Sequence, residues 1–169
     1  MVGAHVAISG SLERSDPIEV LFAAHERRVG QFLVQMVRDR ALAEDLLQET
    51  FLDAHRARDR LADVVSAEAW LFGIARHRAL AALRRSRRAQ RAVERLWQRA
   101  TDREESASQI ELMDALGRAL GPDDRALVLL RYVHDIDAPA LAQMTGKSPA
   151  AIRKRLQRAC AALEKEMSP

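Results

Sequence analysis

The chain has 169 residues, of which 48% are hydrophobic and only 4% aromatic, and its 27 Lys and Arg against 24 Asp and Glu leave a formal net charge of +3. That length fits one ordinary domain or two small ones, with enough apolar residues to build their cores. One cysteine, Cys160, excludes an intrachain disulfide framework, and no apolar run approaches the ~18 residues of a membrane span, so a reduced, cytoplasmic setting with no membrane span is expected.

The five histidines, at 5, 25, 55, 77 and 134, lack metal-ligand spacing, and no Ser, Cys or His nucleophile has an evident base beside it. The pattern therefore points away from an enzyme, and calls for no metal, cofactor or small-molecule substrate. Cys160 is expected to be a buried structural thiol. Ala, Leu and Arg dominate, while runs of Val, Ile, Thr and Tyr are missing, so the fold class is all-α.

Residues 1–15 are small and aperiodic and read as a mobile tail. Asp16-Pro17-Ile18-Glu19 then offers an N-cap, a proline at the first helical position and a first-turn acid. Ile18, Leu21, Phe22, Val29, Phe32, Leu33 and Met36 supply the core stripe of that first helix. A second helix follows Asp39. At 100° per residue, Leu42, Ala43, Leu46, Leu47, Thr50, Phe51 and Ala54 share one half of its wheel. Asp45, Gln48, Glu49, Leu52 and Arg56 share the other. A leucine ringed by Asp, Gln and Glu is either an ordinary surface leucine or the anchor of an interface with a polar rim.

The polar connection from Arg58 to Ser66 reads as a loop with some turn character, and Ser66 can cap a third helix. That helix changes character along its length. Trp70, Leu71, Phe72, Ile74, Ala75, Ala79 and Ala82 fill a core arc, and Gly73, Arg76, His77, Leu80, Arg84 and Arg87 form the remainder, predicted to be one continuous basic strip. From Arg76 to Arg99 nine arginines face the single acid Glu94. Like charges at that density repel, and a polyanion such as nucleic acid relieves them.

The pattern weakens over 91–109, read as an interdomain linker in which Val93, Leu96 and Trp97 form at most a docked turn or two and 104–109 is the most flexible part. Ile110, Met113, Leu116 and Leu120 open a second domain, and Gly121-Pro122 separates its first two helices. Asp123 to Val133 is predicted helical, with Leu127, Leu130 and Val133 as core. Asp137 caps a short helix over 138–144, Gly146 supplies a left-handed turn, and Ser148-Pro149 starts the last helix. This is a helix-turn-helix pattern. Ile152, Leu156, Ala159 and Leu163 line its core side, and Lys154, Gln157, Arg158 and Ala161 face away, flanked by Arg153 and Arg155. Gly146-Lys147-Ser148 only mimics the end of a phosphate-binding loop, since Leu141 stands where the earlier glycine is required.

AEDLLQETFL at 43–52, AWLFGIARHRAL at 69–80 and RYVHDIDAPALAQMTGKSPAAIRKRLQRACAAL at 131–163, in that order over nearly the whole chain, resemble the sigma-70 family of bacterial RNA polymerase initiation factors. The short linker and the lack of further regions before and between these motifs single out the extracytoplasmic function (ECF) type. The resemblance implies a region 2 helical bundle over 16–90, a linker over 91–109 and a region 4 helix-turn-helix over 110–169. It also implies three surfaces. Asp45, Gln48, Glu49 and Leu52 match the face that binds core RNA polymerase. Arg60 in the pocket-forming loop, with Arg76, His77, Leu80, Arg84, Arg87 and Arg88, matches the segment that engages melted −10 promoter DNA. Ser148, Arg153, Lys154, Arg155, Gln157 and Arg158 match the −35 recognition element. Core RNA polymerase, promoter DNA and an anti-sigma factor are the implied partners. The family usually has Asn where this chain has His77, an acid at Ala140, and Thr-Val at Ala151-Ile152.

Two other classes fit parts of the pattern. A polymerase-independent helix-turn-helix repressor or activator needs a dimerisation or ligand-sensing first domain, and an adaptor without DNA contact leaves both basic faces unexplained.

Overall fold

The computed structural model describes residues 16–92 and 107–168, with side chains over 16–86 and 110–168; the expected tail and the turn at Val93, Leu96 and Trp97 lie outside the described residues. Seven α-helices and a 3-10 helix make up the described residues, which contain no strand. The first domain is α1 (Pro17–Val37), α2 (Arg40–Arg56), a 3-10 helix (Arg58–Asp63) and α3 (Ala67–Ala92). The second is α4 (Ala107–Ala119), α5 (Pro122–Tyr132), α6 (Ala138–Thr145) and α7 (Pro149–Met167). Both α3 and α4 reach into the stretch 91–109, where sequence periodicity fades.

The helix boundaries follow local chemistry. Asp16, Asp39, Ser66, Asp137 and Ser148 each accept a hydrogen bond from a first-turn backbone N–H, at 2.8 to 3.2 Å, relieving donors that have no partner inside the helix. Arg38 ends α1 in the left-handed region at φ 57° and returns its N–H to Val34 O. The chain can thus re-enter a helix after Asp39, and α1 and α2 pack as a hairpin. At the end of α6, Gly146 takes φ 65°, where a Cβ would be strained, and the helix-turn-helix closes.

Burial follows the predicted stripes. Val29, Phe32, Leu33 and Met36 of α1, Leu46 and Ala54 of α2, and Leu71, Phe72, Ala75 and Ala79 of α3 are fully enclosed, each large apolar side chain contributing about 1.5–3 kcal/mol. Thr50 joins them by donating its hydroxyl to Leu46 O at 2.7 Å. In the second domain Leu116, Leu127, Leu129, Leu130, Leu141, Ile152 and Leu156 do the same. Two expectations are corrected. Val133 is 46% exposed and His134, at 2%, is buried in its place; at 100° per residue His134 follows Leu127 and Leu130 on the core side, which Val133 does not. Cys160 is free but only half-buried.

The domains are not separate bodies. One apolar cluster runs through both, with α5 and α6 packed on α1 and α3.

Candidate functional site

The first candidate surface lies on α2. Asp45, Gln48 and Leu52 are exposed, Leu52 at 50%. Leu52 borders a groove between α1 and α2 lined by Phe22, Glu26, Glu44, Leu47, Gln48 and Phe51. The Phe22 and Phe51 rings meet at 4.7 Å and form its apolar floor. An apolar floor with Glu and Gln at the rim suits a helical partner that brings one apolar anchor and basic or polar neighbours.

Glu49 departs from this group. It accepts from Arg78 Nη1 at 3.0 Å, while Arg78 Nε donates to Asp53 at 2.6 Å. The Asp53 hydrogen bond, with Glu49 assisting, holds the Arg78 guanidinium above its ordinary pKa. Arg78 therefore ties α3 to α2. A helical wheel shows only that Arg78 lies in a basic run, and nothing in the local sequence marks these acids as its partners.

The second candidate surface, on α3, is divided. His77 and Arg84 are exposed, as is Arg60 on the 3-10 helix. Arg87 and Arg88 continue the α3 backbone, but their side chains lie outside those described. Arg76 and Leu80 do not form the solvent-facing strip expected. Leu80 is 5% exposed and belongs to the core, so it presents no side chain to DNA in this structure. The Arg76 side chain is 14% exposed and pairs with Asp123 of α5 at 2.7 Å. Burial pulls its pKa below the ordinary arginine value, Asp123 opposes that, and the nearby positive charges of Arg155 and Arg84 add to it. Residues 73, 76 and 80 share the helix face that the second domain covers, which periodicity within α3 cannot reveal.

The third candidate surface is on α7. Arg153, Lys154, Gln157 and Arg158 are all exposed on one side, opposite buried Ile152, Leu156 and Ala159. The exposed Ser148 caps α7 through Ala151 N–H at 3.2 Å, and a helix N-terminus attracts phosphate. Arg155 is the exception, half-buried and ion-paired with Asp124.

A polar seam joins the domains. His134 is 2% exposed; its ring lies 5.7 Å from that of Phe32 and 5.1 Å from that of Phe72, and Nε2–H donates to Gln35 Oε1 at 3.0 Å. Arg28, itself ion-paired with Glu68, donates to His134 O. Burial, and secondarily the Arg28 charge, push the His134 imidazole down from 6.5 to about 4, against a weaker upward pull from Asp135. Arg125 donates to Met36 O at 2.8 Å, and Arg38 pairs with Asp114. His134 shows in the sequence only as a lone histidine between Val133 and Asp135, where nothing marks it as buried.

The comparisons with known proteins match this arrangement domain by domain. The model for sigma-70 region 2 matches residues 21–89, and that for sigma-70 region 4 matches residues 110–163. The RNA polymerase sigma factor CarQ of Myxococcus xanthus is 38% identical, over 85% of this chain and 84% of its own length. The chain belongs to the sigma-70 family. The ECF RNA polymerase sigma factor SigM of Bacillus subtilis (strain 168) is 28% identical over 84% of this chain and 90% of that relative. The sigma factor RpoE of Bartonella quintana, solved with the anti-sigma factor NepR, shares the fold with a TM-score of 0.74 at 22% identity, covering 88% of this chain and 95% of that one. This chain is thus a promoter-recognising RNA polymerase sigma factor of the ECF type. No helix among the described residues is long and apolar enough to cross a membrane.

Proposed function

We propose that three surfaces of the chain divide the work of initiation. Asp45, Gln48 and Leu52, with the Phe22–Phe51 groove, hold core polymerase; Glu49 contributes by fixing α2 to α3 through Arg78. Arg60, His77, Arg84, Arg87 and Arg88 engage the opened −10 segment, joined by Arg76 when its pairing with Asp123 is broken. Opening duplex and extruding a base costs a few kcal/mol of stacking, which backbone charge and a stacking imidazole offset. Arg153, Lys154, Gln157 and Arg158 read or clamp the −35 duplex, with Ser148 at a phosphate and Arg155 orienting α7 against α5. Residues 16–90 and 110–169 are the working domains and 91–109 their tether, which lets two weak DNA contacts act together. The chain acts by binding, without a catalytic step of its own, in the cytoplasm where the polymerase works. An anti-sigma factor, such as the Bartonella quintana relative binds, covers these same faces.

The observation that carries this reading is the half-exposed Leu52 at the edge of an apolar, acid-rimmed groove, in the same chain as an outward row of basic residues on α7. A ligand-sensing repressor has no use for that groove on its outer face. The test is transcription from a promoter library with purified protein and core polymerase, and then mapping of start sites. Promoter-specific starts that depend on the protein are expected. Binding to a palindromic operator as a dimer, with no polymerase-dependent starts, would instead support the repressor.

A further inference from the structure

Of the 27 Lys and Arg residues only three are lysines, Lys147, Lys154 and Lys165, and residues 1–146 contain none. Every amine side chain of the molecule is therefore on α7 or in the turn that leads into it, and all three are exposed. An amine loses its charge when it is acylated, whereas a guanidinium keeps its own. Acylation of lysine thus changes the charge of α7 and leaves that of α3, and of the groove between α1 and α2, as it is.

The three lysines differ in their surroundings. Lys154 stands on the outward face of α7 among Arg153, Arg155 and Arg158, with no acid between 153 and 158. Arg155 is held by Asp124, but Arg153 and Arg158 are exposed. Arg158 follows Lys154 by one turn, and helical side chains lean toward the N-terminus, so its guanidinium leans toward Lys154. In the preceding turn the exposed Ala150 and Ala151 leave the amine open to a reagent. Lys165, by contrast, lies between Glu164 and Glu166, of which Glu166 is paired with Arg118. Its chain neighbours are carboxylates rather than guanidiniums. Lys147 adjoins Gly146 and Ser148, with no arginine beside it.

We propose that Lys154 is an acylation site, at which transfer of an acyl group from an acyl phosphate switches off −35 binding. The proposal rests on reading the outward face of α7 as the −35 contact. An acyl phosphate is a small anion, and Arg153 and Arg158 lie well within a Debye length of about 10 Å of Lys154, so they draw it there. The ammonium first gives a proton to solvent. The Nζ lone pair then attacks the acyl carbonyl carbon, the N–C bond forms as the C–O bond to phosphate breaks, and phosphate leaves with the bonding electrons and the second nitrogen proton. A neutral amide replaces the cation. A phosphate contact whose log affinity falls by about 0.9 per log unit of salt is worth about eight-fold at ~0.1 M compared with ~1 M.

The test treats the full chain with acetyl phosphate, maps the acetylated residues by peptide mass spectrometry, and measures binding to duplex DNA carrying the −35 element of a mapped start site. Lys154 should be acetylated at least about three-fold faster than Lys165. A chain that keeps Lys154 as its one lysine, Lys147→Arg with Lys165→Arg, should lose at least about five-fold in duplex affinity on treatment at ~0.1 M salt, and its salt slope should become shallower by about 0.9. The Lys154→Arg chain, compared with its own untreated form, should change by less than about two-fold. Equal rates at Lys154 and Lys165, or a loss on treatment of Lys154→Arg as large as that of the chain keeping Lys154, would each overturn the proposal. The rates are mapped without DNA, so a failure of the initiation reading appears separately, as untreated protein that gives no promoter-specific transcripts with core polymerase.

Discussion

Helices α3 and α7 have nearly the same sequence character, an apolar stripe backed by arginines, yet the structure uses their basic faces differently. On α7 the face opposite Ile152 and Leu156 stays open, and among the described residues only Arg155 at its border is captured by an acid. On α3 the face bearing Gly73, Arg76 and Leu80 lies beneath the second domain, while His77 and Arg84 remain outside. An amphipathic helix must bury its apolar arc, but one that sits between two domains is covered on two sides. Charge density along the chain therefore marks a candidate polyanion-binding helix without marking which of its charges are available.

The contrast can be broken most severely at its shared support. Phe72 packs on Phe32 and on His134, so it serves the core of the first domain and the seam at once. Phe72→Ala should cost about 3–5 kcal/mol, seen as a lowered midpoint in urea unfolding, and should loosen both helices; a loss below about 1 kcal/mol would show that the ring is not shared in this way. Acid provides the next largest effect. His134 titrates near 6.5 when unfolded but only near 4 in the folded chain. Unfolded protein thus takes up a proton that folded protein refuses, so stability is full above pH 6.5 and declines as pH falls toward about 4, by about 3 kcal/mol in all. Urea midpoints measured across that window should fall in the native chain and fall less in His134→Gln.

Smaller effects sharpen the comparison within α7 itself. Replacing exposed Lys154 by Ala should weaken −35 DNA binding and make the dependence of log affinity on log salt shallower by about 0.9 for one lost phosphate contact. Loss of base selectivity with an unchanged slope would mark Lys154 as a base reader instead. Arg155→Ala should leave the slope nearly unchanged and lower stability by at most about 1 kcal/mol, since the Arg155–Asp124 pair is partly open to screening solvent.

Most of the architecture is legible in the residue order because short-range chemistry sets it. Asp16, Asp39, Ser66, Asp137 and Ser148 mark helix starts through bonds spanning two or three residues, and Gly146 marks the turn of the helix-turn-helix. The exposed Leu52 also follows from periodicity alone, since every neighbour on its half of the α2 wheel is polar. What could not be read is pairing over long separations. Arg78 with Asp53, Arg76 with Asp123, and Arg28 with His134 O join residues 25 to 106 positions apart, and each involves a residue whose local pattern suggests only an exposed charge or a lone histidine. Leu80 and Val133 also depart from their expected places, Leu80 buried at 5% and Val133 exposed at 46%.

The division of labour among the three surfaces depends above all on the groove beside Leu52 being the seat of core polymerase. Leu52→Glu alters an exposed position and should leave the urea midpoint within about 0.5 kcal/mol of native, while competition for core polymerase against the unmodified chain should show at least a ten-fold loss of affinity, as expected for a central apolar anchor. A folded Leu52→Glu protein that competes for core polymerase as well as the native chain would contradict it.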